Sequence, residues 1–547
     1  MSADPILAEV IRHGLQAVAE EMGAALVNTA HSVNIRDRRD FSCGLFTAAG
    51  DLAAQAEHIP VHLGLLAEVV QRTEARLGQK IPVGQMLVTN DPWITGSHLP
   101  DVVVIAPVDR DGRRIGYVAN MAHQVDIGGV APGSLSLGVS EIYAEGLRVS
   151  PLSLMREGKV DPQIVELFRI NSRTPDMVLG DLLAQVAANT TGAARLAELV
   201  ERTGEARFDD AVDFLATATA NRLAHRLAPL EGRVARFEDS LEWYEDGADA
   251  DLAIKVRLSV AGGRLTADFT GTAPQVRGPI NAARPLTMSC LLYVAKAMLD
   301  PGLASNAGLF RQVEIVTEAG TLVDARPPAA VALCTSITSM RITDALMGAF
   351  NLLMPEAAMA ASTGSMNALI IGGEDSRTGR AYSYVETYAG GQGALADRDG
   401  ADAVHCHMTN TANSPVETME RAYPMTVLRY AILPETGGAG RHRGGHGLTR
   451  EIRMEQKATL TVHLDRTRHR PWAVDGGSEG SFASAMLRSE GGETTLSGKC
   501  TVEVPAGTVV VMRTAGGGGA GSWELRPEAA RAADRRQGLE ARGEALP

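Results

Sequence analysis

The stretch WITGSHLPDVVVIAPVDRDGRRIGYVANMAHQVDIGG (residues 93–129) decides how the chain is read. DVVVIAPV and RIGYVANMAH are β-branched and apolar enough to be strands, and DRDG between them is a turn, so the segment is a β-hairpin. A hairpin that only had to fold would not collect His98 and Asp101 at one end and His123 and Asp126 at the other. With Val108 facing Arg113, paired positions place His98 opposite His123 and Asp101 opposite Asn120. Opposed residues carry Cβ atoms ~5 Å apart, so the two imidazoles can share one ion. Pro100 stiffens the bend between His98 and Asp101 and lets the carboxylate return to the same side. Two imidazoles and a carboxylate suit a borderline cation such as Zn²⁺, Mn²⁺ or Fe²⁺. Alternatively, each residue simply caps a strand end or faces water.

Other polar groups surround this hairpin in sequence. Asp126 either accepts from His123 and orients it or shapes the turn before Gly128-Gly129. Glu57, His58 and His62 in QAEHIPVHLG either line the same cavity or cap the next helix. His405 and His407 alternate in HCHMTN, as on one strand face; a cavity-lining or hydrogen-bonded pair is favoured there over a second metal.

The rest of the chain sets the frame. Its 547 residues exceed one core, so several domains are expected. The net charge of -13 argues against nucleic acid and anionic membranes as partners. Five scattered cysteines without a CxxC read as reduced thiols. The N-terminus has no basic segment followed by an apolar one, and Arg341 and Asp344 interrupt the longest apolar run, which favours a buried helix over a membrane span. A cytoplasmic location is the resulting expectation.

Helical spacing is expected over 4–30, 60–78, 160–230, 283–299 and 336–353, and strands over 251–270 and much of 425–525. The expected class is α+β: multidomain, mixed sheets with helices and a β-rich C-terminal part. The expected divisions are 1–230 with the metal hairpin, a central α/β unit at 231–424, a glycine-rich β unit at 425–525, and a charged, frayed or disordered tail at 526–547. The glycine runs 437–447 and 515–521 lack GxxxxGK[ST] and do not open helices, so they read as tight turns or close backbone contacts rather than a phosphate cradle.

RDRRDFSCGLF (36–46), HIPVHLG (58–64), NDPWITGSHLPDVVVIAPV (90–108), MAHQVDIGG (121–129), HMTNTANSPVETMERAYP (407–424) and GGAGRHRGGHGLTREI (437–452) together resemble the hydantoinase B/oxoprolinase family, from about residue 5 to 525. The resemblance implies a divalent metal, Zn or Mn with Fe also admissible, held by Asp40, His98, Asp101 and His123. It alone nominates Asp40. It implies a B-type subunit working in a hetero-oligomer with an A-type ATPase subunit, which uses ATP to phosphorylate the carbonyl oxygen of a cyclic amide such as a hydantoin, 5-oxoproline or another lactam. Asp126, His58 and Glu57 are then the candidates for moving protons. Two other readings stay open: a subunit of an ATP-dependent ketone carboxylase of the acetone or acetophenone type, and a non-catalytic scaffold whose metal only clips the hairpin.

Overall fold

The computed structural model describes residues 4–56, 58–245 and 248–540. Its strands form a seven-stranded sheet, two four-stranded sheets and a five-stranded sheet, with helices packed between and outside them. The chain is therefore mixed α+β, with the last two sheets built from residues beyond 367.

The first helix, α1 (Pro5–Thr29), starts where Asp4 accepts from the Ile6 N–H and Pro5 supplies a preset φ. Its apolar stripe, Ile11, Leu15, Val18, Met22 and Leu26, is buried. The stripe packs on β1 (Phe41–Phe46) and on the long helix α2 (Pro175–Thr203), where Gly192 leaves room for the Met22 thioether.

β2 (Asp101–Arg110) and β3 (Arg113–His123) are the hairpin, at the centre of the seven-stranded sheet between β1 and Gln85–Thr89. The register differs from the sequence reading by three positions: Asp101 faces His123, and Asn120 faces Val104. Two features account for the shift. The turn is only Asp111-Gly112, both at positive φ, so the strands run closer to the tip. An irregularity between Val108 and Asp109 then moves the pairing by one more. His98 is not in a strand; it follows the short helix Pro92–Thr95, which Asp91 caps and Gly96 ends.

Helix α2 grips this hairpin with polar side chains. Gln185 donates to the Val102 carbonyl at 2.8 Å, and Asn189 donates to that of Val104 at 2.9 Å. Asn120 donates to the Gln185 carbonyl at 2.9 Å and to Asn189 Oδ1 at 2.8 Å. These buried groups are satisfied only in one helix–sheet register, so they fix the hairpin's open end.

α3 (Glu205–Leu227), α4 (Arg284–Leu299) and α5 (Ser339–Leu353) complete the helical frame. One apolar core contains Leu66 and Val103 together with Leu258, Leu291 and Phe350, so it crosses the expected boundary at residue 230. In α5, Arg341 and Asp344 are fully buried within a charge network. Arg341 meets Asp239 at 3.2 Å, Asp344 at 3.3 Å and Asp465 at 2.5 Å. Arg466 meets Asp344 at 2.7 Å and Asp239 at 3.0 Å, and Lys499 meets Asp465 at 2.6 Å. Three cations thus balance three carboxylates, tying α5 to the strand Val234–Glu245 and to the C-terminal sheets.

The glycine runs lie against other main chain. A Cβ on Gly445 would sit 1.9 Å from the Ala401 carbonyl oxygen, one on Gly444 2.0 Å from that of Gly517, and one on Gly517 2.1 Å from that of Gln392. The same segments exchange hydrogen bonds, Gly445 N–H to Gln392 O, Gly517 N–H to Gly445 O and Gly518 N–H to Ala361 O. Close approach of several backbones, rather than positive φ, is what requires glycine here.

The tail is not frayed over its described part. Glu528–Gln537 is helical, and its buried Asp534 meets Arg526 at 2.7 Å and Arg443 at 3.2 Å. Residues 541–547 lie outside the described residues.

Candidate metal centre

Asp101 starts β2, His123 ends β3, and His98 reaches them from the turn before β2. His98 Nε2 lies 3.2 Å from His123 Nδ1 and 3.3 Å from Asp101 Oδ2, and His123 Nδ1 lies 3.2 Å from Asp101 Oδ1. All three side chains are buried. Among the described residues they are the group of His, Cys, Asp and Glu whose ligand atoms lie within 4.8 Å of one another.

Hydrogen bonding gives this contact a direction. His98 Nδ1 lies 2.8 Å from the Ala332 carbonyl, to which it donates. In the neutral ring, Nε2 then carries a lone pair and faces both a carboxylate and a second imidazole nitrogen. Asp101 Oδ1 and His123 Nε2 have no hydrogen-bond partner. Burial opposes charge on His98, but Asp101 outweighs it and raises the imidazole pKa. Burial likewise pushes the Asp101 carboxyl up, and His98, with the other imidazoles around it, holds it well below the usual range. A cation among these atoms relieves the same field. Metal–nitrogen bonds of 2.0–2.1 Å in a tetrahedral site imply ligand–ligand edges of ~3.3 Å, the spacing found here, so the donor set fits a divalent metal.

The cluster opens onto a cavity of about 40 Å³. Asp40 lines it without joining the close cluster; its carbonyl accepts from the His123 N–H at 3.1 Å, which sets it beside the end of β3. His62 also lines it, with Nε2 3.7 Å from Asp101 Oδ2 and Nδ1 3.1 Å from Ser42 Oγ. Ser97 donates to Asp101 Oδ2 in a short hydrogen bond. Arg38 and His463 also line it.

Two of the three candidates for moving protons sit elsewhere. Asp126 turns away from His123: its oxygens accept from Gly128 N–H, Gly133 N–H and Arg173, so it braces the loop after β3. His58 packs edge-on against Phe41 at 4.6 Å, outside the cavity lining. Glu57 lies outside the described residues. Of the cluster read in QAEHIPVHLG, it is His62 that reaches the site, because the helix His62–Ala67 turns it inward one turn after His58. His463, at the end of the strand Ala458–His463, carried no sequence signal; it lines the cavity across from the hairpin residues.

His405 and His407 do not share a strand face. His407 adopts a left-handed conformation, φ 55°, and lies 3.5 Å from Asp344, whereas His405 Nδ1 lies 3.1 Å from Thr409 Oγ1. Burial, helped by Arg38, lowers the His405 pKa to about 4. The unfolded chain therefore takes up a proton near pH 6.5 that the folded chain refuses until about pH 4, so stability is lost as pH falls through that window. Urea unfolding at pH 7 and pH 5 should show His405 costing up to about 2 kcal/mol over that drop. His405→Gln should flatten the pH dependence by that amount; an unchanged slope would place the acid sensitivity elsewhere.

Comparisons with known proteins identify relatives of the chain. An uncharacterised protein of Methanocaldococcus jannaschii is 38% identical, over 95% of this chain and 91% of its own length. 5-oxoprolinase 1 of Arabidopsis thaliana is 33% identical over 95% of this chain, which spans only 42% of that longer protein. The crystal structure of the ATP-dependent caprolactamase from Pseudomonas jessenii superposes with a TM-score of 0.93 at 27% identity, covering 98% of this chain and 95% of that one. The model of the hydantoinase B/oxoprolinase family matches residues 4–523. On that match, and on its relatives, the chain belongs to the hydantoinase B/oxoprolinase family.

Proposed function

We propose that the chain is the metal-holding subunit of an ATP-dependent cyclic amidase, opening an amide ring whose carbonyl oxygen a separate A-type ATPase subunit has phosphorylated. The observation that carries this reading is the histidine–carboxylate cluster at ligand spacing beside a small cavity. His98, Asp101 and His123 would hold the cation, with Asp40 on the same wall. When bound, a divalent metal supplies Lewis acidity and brings the pKa of water towards neutrality. A purely structural clip would need no space beside the cluster, whereas about 40 Å³ has room for a water or two. In this reading ATP is used by the partner subunit, and the sequence here has no GxxxxGK[ST] loop.

The chain's own groups do the rest. Ser97 and Ala332 fix the orientation of Asp101 and His98. Ile59, Val61, Leu135 and Met366 keep bulk water from the cavity. Arg38, held by Thr387 at 3.0 Å, faces it with the only guanidinium among its described lining residues. There it would favour negative charge growing on the substrate oxygen. His62, between Ser42 and Asp101, is placed to take a proton from attacking water and return it to the leaving nitrogen, and a second water then hydrolyses the acyl phosphate left by C–N cleavage to carboxylate and inorganic phosphate.

The reading is tested with the chain, a divalent metal, an A-type ATPase subunit and a cyclic amide in ¹⁸O-water. Hydrolysis places ¹⁸O in the new carboxyl group and does not require bicarbonate. A product carrying carbon from labelled bicarbonate would instead make the chain a carboxylase subunit. His62→Gln should lower kcat by about 10²-fold with metal content unchanged, and His58→Gln should leave kcat within about threefold. Equal losses in the two variants would remove His62 from the chemistry.

A further inference from the structure

Arg38, Arg341, Arg450 and Arg466 are among the largest fully buried side chains. Three of them meet carboxylates: Arg341 and Arg466 in the α5 network, and Arg450 at Glu386, 3.6 Å away. Arg38 does not. It donates to Asn34 Oδ1 at 3.2 Å, to the Val385 carbonyl and to Thr387 Oγ1 at 3.0 Å, all uncharged oxygens, and its Nε has no hydrogen-bond partner. Among the described residues no carboxylate forms an ion pair with it. A neutral amide could donate to the same oxygens without burying a charge. A guanidinium stays charged, and a buried charge calls for a counterion.

What stands beside Arg38 suits an oxyanion. Thr387 Oγ1, which accepts from Arg38, lies 2.7 Å from Thr411 Oγ1. Thr411 Oγ1 lies 3.5 Å from His405 Nε2, and Thr409 Oγ1 lies 3.1 Å from His405 Nδ1. Arg38 and the three threonines line the cavity that the histidine–carboxylate cluster also lines. Their hydroxyls rotate, so each can turn a hydrogen towards an acceptor. The charges of the cavity wall point the same way. Its carboxylates are Asp40 and Asp101, which one divalent cation balances. The guanidinium then remains as net positive charge, and protonation of any histidine there adds to it. With about 40 Å³, the cavity has no room for a nucleotide, since small-molecule sites run to ~300–1,000 Å³. A single phosphoryl group is the anion that the activated substrate brings.

Building on the amidase reading above, we infer that Arg38, with Thr387, Thr409 and Thr411, forms an oxyanion subsite that receives the phosphoryl group of the activated substrate. The group stays on the substrate through ring opening and leaves as inorganic phosphate at the second hydrolysis, so one wall holds the substrate anion and then the product.

Inorganic phosphate is the probe, titrated by calorimetry into the full metal-loaded chain, with bicarbonate as the competing planar anion. Wild type should bind about one phosphate per chain, more tightly than bicarbonate. Arg38→Met should weaken phosphate binding by at least about tenfold with metal content unchanged. Arg38→Lys keeps the charge and loses the fork, so it should fall between the two. Thr411→Val, which removes one hydroxyl at nearly constant shape, should weaken binding by about threefold or more, and it decides the matter if the Arg38 variants misfold. Phosphate held by the metal alone would bind Arg38→Met and Thr411→Val as tightly as wild type and overturn the subsite. An absence of phosphate binding in wild type, or tighter binding of bicarbonate, would overturn it too. Ring-opening assays run in parallel separate the two claims. Arg38-dependent phosphate binding without any ring opening keeps the subsite and removes the amidase reading; ring opening at an unchanged rate in Arg38→Met keeps the reaction and removes the subsite.

Discussion

Asp101→Ala should abolish ring opening, with turnover falling by at least about 10³-fold, while the partner's ATPase activity stays within about twofold. The expectation rests on position. The Asp101 carboxylate lies within 3.2–3.7 Å of three imidazoles, those of His98, His123 and His62. Removing it leaves two ring nitrogens 3.2 Å apart with no anion between them, a poor site for any cation. Elemental analysis should find about one metal per wild-type chain and less than a tenth of that in the variant. Asp101→Asn keeps the shape and the Ser97 contact and loses the charge, so it should lose metal nearly as completely. A variant that keeps both its metal and its turnover would refute the assignment of the centre.

Arg341→Met should be the most destabilising single substitution outside the site, by about 3–5 kcal/mol. Methionine fills much of the same volume, so the loss is not chiefly one of packing. It leaves Asp239, Asp344 and Asp465 buried with only Arg466 and Lys499 to balance them. Burial alone would push the Asp239 carboxyl up; Arg341 and Arg466 instead lower it to about 2, so without Arg341 its ionised form is less supported. Denaturant unfolding measures the effect, and adding Asp465→Asn should recover part of it by restoring the charge balance. A loss below about 1 kcal/mol would mean that water or rearrangement compensates the carboxylates. Because His463 of the metal cavity stands two residues from Asp465, the variant should also slow turnover.

Much of the architecture was legible in the sequence, for local reasons. The 3.6-residue stripe of α1, the strands of the hairpin and the charges interrupting α5 each announce themselves within about twenty residues. The proposed metal ligands were partly legible: His98, Asp101 and His123 flank a recognisable hairpin, and Asp40 was nominated only through family resemblance. The register was misread because DRDG looks like a four-residue turn, whereas Asp111-Gly112 can make the whole reversal. Asp126 beside a histidine looked like its orienting partner. Only the folded loop reveals that Arg173 and two backbone N–H groups claim it. His463 and Arg38 enter the cavity through contacts between sheets formed by distant segments, which no local pattern records. The tail misled for a related reason: its charges read as solvated until Arg443 and Arg526 are seen to meet Asp534.

The interlocked glycines bear on the life of the newly made chain. Segments near residues 361, 392, 401, 445 and 517 bond to one another through their main chains, and the last of these is made after all the others. Such long-range pairing is slow to form, and nothing earlier in the chain can substitute for residues 515–521. Until they arrive, the C-terminal sheets wait with unpaired backbone exposed, a state prone to aggregation. Yield of the recombinant protein should therefore depend on growth temperature and chaperone supply more steeply than its final stability would suggest.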